Sequence, residues 1–415
     1  MEDLLSISRN RRKNSAVLAK LQLVFLSEII GDESAVKRLK NFAQERALSL
    51  SSGTPPPDEA ARKLRAAVEN GLQFHRGHAN CLRQIGSGIA WRAFDYDRAV
   101  MHLLSQRATE QQASVQGTAR ELQEWMREFG NPQRLALLNV VTNSLGIGDV
   151  TVVDPDGGGE IVEVKTSNAK SRRITRQKRQ MREVVELLNV GHGKIAEKEV
   201  TILHLDIFPA NDLNRLLGLL DRASVEGWSA GRINNCCYVQ CMNMSVKRKS
   251  HDVIAELDAS AEAEAASLMM TGDSVTQLTS LDVLAFTPNC MPFSIFPFPA
   301  KRCAELMTGI ASYRSIFNVS AFFRELERFG WRFKRTGPQI AAESGGFAQL
   351  SDAVGEVEKD GFRLSISPGQ IMKLQMEMLR PSVIAEELDA IRVSGLEHRP
   401  QWGFALFTRE REIWD

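Results

Sequence analysis

Apolar residues crowd the stretch from Leu18 to Ile30 (Leu18, Leu21, Leu23, Phe25, Leu26, Ile29, Ile30), which predicts a largely apolar helix closed by Gly31, with a second helix from Glu33 to about Leu50. The run Ser51-Ser52-Gly53-Thr54-Pro55-Pro56-Pro57-Asp58 interrupts this pattern as a loop or linker, and Asp58 is placed to cap the helix that follows. Leu122, Trp125, Met126 and Phe129 recur at helical spacing, so Gly117 to Phe129 reads as an amphipathic helix stopped by Gly130-Asn131-Pro132. A further helix is expected from Pro132 to about Leu145. The pattern then becomes strand-like: Asp149 to Val153 and Ile161 to Lys165 read as strands joined by the turn formers Asp154-Pro155-Asp156-Gly157-Gly158-Gly159. A basic helix from about Ile174 to Leu188, a strand at Val200 to Phe208, a helix at Asp212 to Ala223 and a strand near Cys237 to Met242 follow.

This alternation predicts an α/β (α+β) protein with a mixed central sheet flanked by helices. At 415 residues the chain exceeds what one core supports, so it is divided into a helical N-terminal region (1–112), a central domain (113–245) and a C-terminal α/β domain (246–415). The last holds an alanine- and acid-rich segment from Asp252 to Ser267, read as helix or solvated connector. It continues with a helix around Val319 to Phe329, a strand at Gly361 to Ile366, a helix from Pro368 to Leu379 and a closing strand at Trp402 to Phe407, with no catalytic constellation.

The net charge is only +1, so contact with a polyanion must come from a local surface. Such a surface exists in sequence: Lys165, Lys170, Arg172, Arg173, Arg176, Lys178, Arg179 and Arg182 are eight cations in a span free of Asp and Glu. Neutralising phosphates with such a stripe gives salt-dependent affinity for nucleic acid. No segment has the length of apolar sequence needed to span a bilayer, and Met1 to Asn14 lacks the pattern of a secretory signal, so a cytoplasmic protein without membrane association is expected. Cys236, Cys237 and Cys241, with Cys81, Cys290 and Cys303, read as buried small hydrophobes rather than zinc ligands. His75, His78 and His102 come with no carboxylate pattern and read as structural or surface groups. Gly86-Ser87-Gly88 lacks the Lys-Ser/Thr of a phosphate loop and reads as a packing feature.

The hairpin carries the chemistry. Side chains alternate faces on a strand, so Ile161, Glu163 and Lys165 share one face, and Asp149, Thr151 and Val153 share another. A turn with Asp154 opposite Glu160 pairs Asp149 with Lys165 and Thr151 with Glu163. Asp149 and Glu163 then lie diagonally on one face, roughly 7–8 Å apart at their α-carbons, within reach of one cation. Two carboxylates suit a hard divalent cation such as magnesium, which binds phosphate and lowers the pKa of a water, and Lys165 adds a positive charge beside it.

Gly148-Asp149-Val150, followed after a turn by Glu160-Ile161-Val162-Glu163-Val164-Lys165, resembles the PD-(D/E)xK, or restriction-endonuclease-like, superfamily. Glu121 on the amphipathic helix looks like that family's first-helix glutamate, and Gln177 and Gln180 fall where many members place a polar residue near the site. The extra helix Pro132 to Leu145 departs from the family pattern and leaves Glu124 and Glu128 as rival acids; Glu121 lies nearer the apolar stripe than either. The resemblance covers about a third of the chain. It implies a restriction-endonuclease-like core and a metal-dependent endonuclease, usually acting on DNA. Asp149 and Glu163 are its Mg2+ ligands (Mn2+ substituting), Glu121 an auxiliary acid, Lys165 catalytic, and Lys170, Arg172, Arg173, Arg176, Gln177, Lys178 and Gln180 face nucleic acid. By analogy, restriction or antiphage defence is the setting, with the flanks serving a homo-oligomer or a regulatory partner protein. The rival readings are an inert nucleic-acid-binding or assembly protein and an RNA nuclease.

Overall fold

The computed structural model describes residues 11–45, 59–94, 96–105, 115–129, 134–153, 159–162, 164, 179, 182–187, 190–195, 198–201, 210–246, 259, 275–280, 290–334, 355–366 and 368–393. The chain divides into two compact units, Met1–Asp95 with Val100–Val185, and Tyr96–Ala99 with Glu186–Asp415.

The first unit begins with two long helices packed along one another, α1 (Arg11–Glu45) and α2 (Glu59–Ala93). Helix α1 runs through Gly31, so the two helices expected on either side of that residue are one. A glycine inside a helix costs roughly 1 kcal/mol, and the residues that follow it offset this. Asp32 is buried and meets the Nδ1 atoms of His75 at 2.8 Å and His78 at 2.7 Å on α2. Glu33 pairs with Arg83, and Ala43, Val68 and Leu72 close an apolar cluster further along. The histidines therefore do have a carboxylate partner, supplied from a distant part of the sequence.

Helix α3 (Arg98–Ser105) and helix α4 (Val115–Phe129) follow. Between α4 and Asp149 the chain forms a strand, β1 (Leu135–Leu138), and a 3-10 turn (Asn139–Val141), not the helix expected from Pro132 to Leu145. A short apolar run carries no periodicity that separates strand from buried helix; pairing decides. Leu135, Ala136, Leu137 and Leu138 stand opposite Val153, Val152, Thr151 and Val150 of β2 (Val150–Val153), which pairs in turn with β3 (Gly159–Val162). The result is an antiparallel sheet in the order β1-β2-β3.

Strand β1 is an edge, and side chains cover it. Gln22 of α1 donates from Nε2 to the Ala136 carbonyl (3.0 Å) and accepts the Leu138 amide at Oε1 (2.8 Å), acting as a fragment of a fourth strand. Trp125 of α4 donates to the same Ala136 carbonyl at 2.9 Å. Helix α2 presses on the adjoining turn at Gly86, where a Cβ would fall on the Val141 carbonyl, as the packing reading of Gly86-Ser87-Gly88 expected.

The second unit opens with the hairpin β4 (His192–Ile195) and β5 (Lys198–Thr201). Helix α5 (Leu213–Glu226) packs on β6 (Trp228–Asn234) and β7 (Cys237–Asn243). With β8 (Val275–Thr279) and β9 (Ala311–Asn318) these form a sheet in the order β6-β7-β9-β8. Helix α6 (Ala300–Met307) lies between β8 and β9 in the chain, and α7 (Val319–Arg328) follows β9. A second sheet, β10 (Arg332–Lys334), β11 (Gly355–Lys359) and β12 (Phe362–Ile366), precedes α8 (Pro368–Met376) and α9 (Pro381–Val393).

Two expectations change here. Cys237 to Asn243 pairs residue for residue with Phe317 back to Ala311, so a single sheet spans the boundary placed at 245/246, and the region 113–245 is shared between the two units. Every strand pairing among the described residues is antiparallel, where a mixed sheet was expected. Short turns such as Asn235-Cys236 between β6 and β7 permit only antiparallel return. The architecture is helix and antiparallel sheet with a helical N-terminal region. No helix among the described residues is long and apolar enough to cross a membrane.

Five of the six cysteines behave as core residues, while Cys81, expected to be buried, is only half-buried on α2. Cys236, Cys237, Cys241, Cys290 and Cys303 are buried and not joined in disulfides, and burial pushes the Cys303 thiol up to about 11 and that of Cys236 up to about 12. Such thiols stay protonated and unreactive at neutral pH.

Candidate active site

The site is built on the first sheet, where the chain enters β2. Gly148 takes φ +74°, a left-handed conformation, and a Cβ there would lie against Ile161 Cγ2 and 3.1 Å from the Val162 carbonyl oxygen. Glycine lets β2 approach β3 this closely while turning the next residue, Asp149, onto the sheet. The Asp149 amide donates to the Val162 carbonyl at 2.9 Å, and its own carbonyl accepts the Asn139 amide at 3.0 Å. Asp149 is thus stitched to the sheet on both sides.

Its side chain is fixed as well. Oδ2 accepts the Val164 amide at 2.6 Å. Burial holds the carboxyl above its ordinary value, and the Val164 hydrogen bond opposes part of that rise. Among the described residues no cationic side chain pairs with Asp149. A half-buried carboxylate with one oxygen anchored by a backbone amide is a candidate oxygen ligand for a cation.

The observed register differs from the expected one. Val150 stands opposite Val162, Thr151 opposite Ile161 and Val152 opposite Glu160, so Thr151 does not pair with Glu163. The slip is two residues, and an even slip leaves the paired side chains of β2 and β3 on their expected faces, because the strand period is two. Glu160 is exposed and lies 3.7 Å from Arg134.

Glu163, Lys165, Lys170, Arg172, Arg173, Arg176, Gln177, Lys178 and Gln180 lie outside the described residues. Of the basic stretch, Arg179 is helical and pairs with Glu183 at 2.7 Å, and Arg182 is exposed on the helical stretch 182–187. Among the described residues no group of three or more His, Cys, Asp or Glu side chains is placed to hold a metal ion. The expected ligand set includes Glu163 and so is only partly represented there.

The three upstream acids all lie on α4. Glu124 pairs with Arg127, and Glu128 meets Arg127 at 2.9 Å and Arg134 at 3.5 Å. Glu121 is half-buried on α4, one helical turn before the buried Trp125, on the helix that packs against β1 and β2.

Sequence reasoning missed Asn139. This residue is fully buried, donates from Nδ2 to the carbonyls of Ile147 (2.8 Å) and Gly148 (3.1 Å), and accepts the Thr151 hydroxyl at Oδ1 (2.8 Å). A signal was present: a lone polar residue interrupts the apolar run Leu135-Ala136-Leu137-Leu138-Asn139-Val140-Val141. Neither family models, nor characterised proteins, nor solved structures match this chain.

Proposed function

We propose that this protein is a magnesium-dependent nuclease of the PD-(D/E)xK type that hydrolyses DNA phosphodiester bonds, with Asp149 and Glu163 as metal ligands, Lys165 as the catalytic cation and Glu121 as the auxiliary acid. One observation carries the reading. Val162 and Val164, the chain neighbours of Glu163 on either side, are both hydrogen-bonded to Asp149, one through its amide and the other through its carboxylate. That double tie supports assigning the two acidic positions to one cation, which needs oxygen ligands from adjacent backbone segments.

The order of elements supports the reading too. The extra helix that set this segment apart from the family pattern is strand β1, so α4 with Glu121 leads directly into the antiparallel meander β1-β2-β3.

Bound at these carboxylates, the cation would supply Lewis acidity, activating a water and offsetting charge on the phosphate. The chain's own contribution is placement. Gly148 and the Asn139 bonds orient Asp149, the Val164 amide keeps one carboxylate oxygen in place, and Lys165 adds positive charge where the transition state accumulates negative charge. Lys170, Arg172, Arg173, Arg176 and Lys178 hold the phosphate backbone, with Gln177 and Gln180 beside them. The setting of restriction or antiphage defence is part of the same proposal.

Plasmid cleavage in Mg2+, compared with Glu163→Ala and Lys165→Ala, tests this. Cleavage lost in Glu163→Ala and strongly reduced in Lys165→Ala is the expected result. Cleavage unchanged in both rejects the site, whereas DNA binding without cleavage by the wild-type protein supports an inert binding protein; RNA offered in parallel decides the substrate class.

A further inference from the structure

We infer that Asn139 is the positioning residue that aims the Asp149 carboxylate at a divalent cation, an inference that rests on the nuclease reading above. Asn139 directs its side-chain amide and its backbone N–H at the residues around Asp149, while its carbonyl accepts the amide and hydroxyl of Thr142. Its Nδ2 takes the carbonyls of Ile147 and Gly148 at 2.8 and 3.1 Å, which are the two residues before Asp149. Its backbone amide takes the Asp149 carbonyl at 3.0 Å. Its Oδ1 takes the hydroxyl of Thr151, two residues after Asp149, at 2.8 Å. The partners also dictate the amide's orientation, since carbonyls require the NH2 group and the hydroxyl donates to the oxygen.

These bonds act on the direction of one side chain. Fixing the carbonyls of Ile147 and Gly148 fixes the peptide planes that set the left-handed turn at Gly148, and with them the Cα–Cβ vector of Asp149. A buried amide needs only satisfied hydrogen bonds; this one has them concentrated on both flanks of a single carboxylate.

Asn139 is in turn held by a separate scaffold. Its neighbour Leu138 donates to Gln22 of α1, and its neighbour Val140 accepts the Arg83 Nε of α2 at 3.2 Å. Four residues on, the Asn143 amide donates to Ser87 Oγ at 2.9 Å. The helical pair α1–α2 thereby fixes Asn139, and Asn139 fixes Asp149. A ligand-orienting shell of this kind is worth roughly 10–100-fold in metal affinity or activity when a member is removed.

Mn2+ binding to the full chain, followed by calorimetry and by the electron-spin signal of the free ion, tests the assignment. Asn139→Asp replaces the NH2 group, and with it both N–H donors, by one oxygen that faces two carbonyls, and Thr151→Val removes only the hydroxyl that fixes the amide. Both variants are expected to weaken Mn2+ binding, Asn139→Asp by about 10–100-fold and Thr151→Val less. The KM for DNA should stay unchanged, and kcat should recover at saturating Mn2+, a rescue that a general loss of structure would not show. Folded variants that bind Mn2+ like the wild type overturn the inference; if Asn139→Asp does not fold, Thr151→Val decides alone. Asp149→Asn distinguishes the levels: loss of Mn2+ in that variant with no change in the other two removes only the role of Asn139. A wild-type chain that takes up no Mn2+, or an Asp149→Asn variant that takes it up equally, overturns the metal reading and this inference with it.

Discussion

The amide of Val164 donates to the carboxylate of Asp149 across 2.6 Å, joining the first residue before β2 to the chain beyond β3. That bond makes the carboxylate part of the sheet's hydrogen-bonding pattern rather than a free surface acid. Asp149→Asn keeps an acceptor for the Val164 amide but loses the charge, so the fold is expected to persist while cleavage disappears. Lys165→Ala is expected to lower kcat by about 10²–10³, the usual cost of removing one electrostatic contributor to a transition state. Cleavage kinetics beside circular dichroism of both variants check this, and an unfolded Asp149→Asn would show that the acid is structural.

Gly148 predicts a cost that is local and steric. Gly148→Ala places a Cβ against Ile161 in a backbone conformation with φ +74°, and destabilisation of about 1–3 kcal/mol is expected from the backbone strain alone. Urea denaturation measures it; a variant as stable as the wild type would mean that the turn relaxes without loss.

Gln22 predicts that a helix contributes to the sheet. Gln22→Ala leaves the Leu138 amide without its side-chain acceptor and takes one donor from the Ala136 carbonyl, which retains Trp125. An unsatisfied buried donor costs about 1–3 kcal/mol. Amide hydrogen exchange should rise at Leu138 before it rises in β3, and equal protection in variant and wild type would count against the edge-covering role.

Glu387 predicts a pH dependence in the second unit. Burial raises its carboxyl above the ordinary 4.5, and Lys373, at 3.8 Å, opposes only part of the rise. Between 4.5 and the raised folded value the native state holds more protons than the unfolded state, so stability falls as pH rises through that window. Glu387→Gln removes this contribution, and its stability relative to the wild type is expected to increase with pH from 4.5 upward and then level off. Thermal unfolding at a series of pH values reads it; a constant difference would mean that Glu387 ionises in the fold as readily as in water.

Helix α4, β2, the second half of β3, α5, β7, α7 and α8 were legible in the sequence, because amphipathic spacing, alternation and turn formers are local signals. So was the β2–β3 hairpin, whose two-residue slip in register leaves the faces of its paired residues unchanged; Glu163 lies outside the described residues. Contacts between distant residues were not legible. The passage of α1 through Gly31 depends on His75 and His78 meeting Asp32 from more than forty residues away. The run Leu135 to Leu138 carries no period that separates strand from helix, and only its pairing with β2 and the cover from Gln22 and Trp125 make it a strand. The sequence by itself determined where the strands of the β2–β3 hairpin and the amphipathic helices run, since both follow from side-chain type and a period of two or of 3.6. Tertiary structure alone decided that Asn139 surrounds Asp149 with hydrogen bonds and that Val164 anchors its carboxylate, because a hydrogen bond depends on position in space and not on separation along the chain.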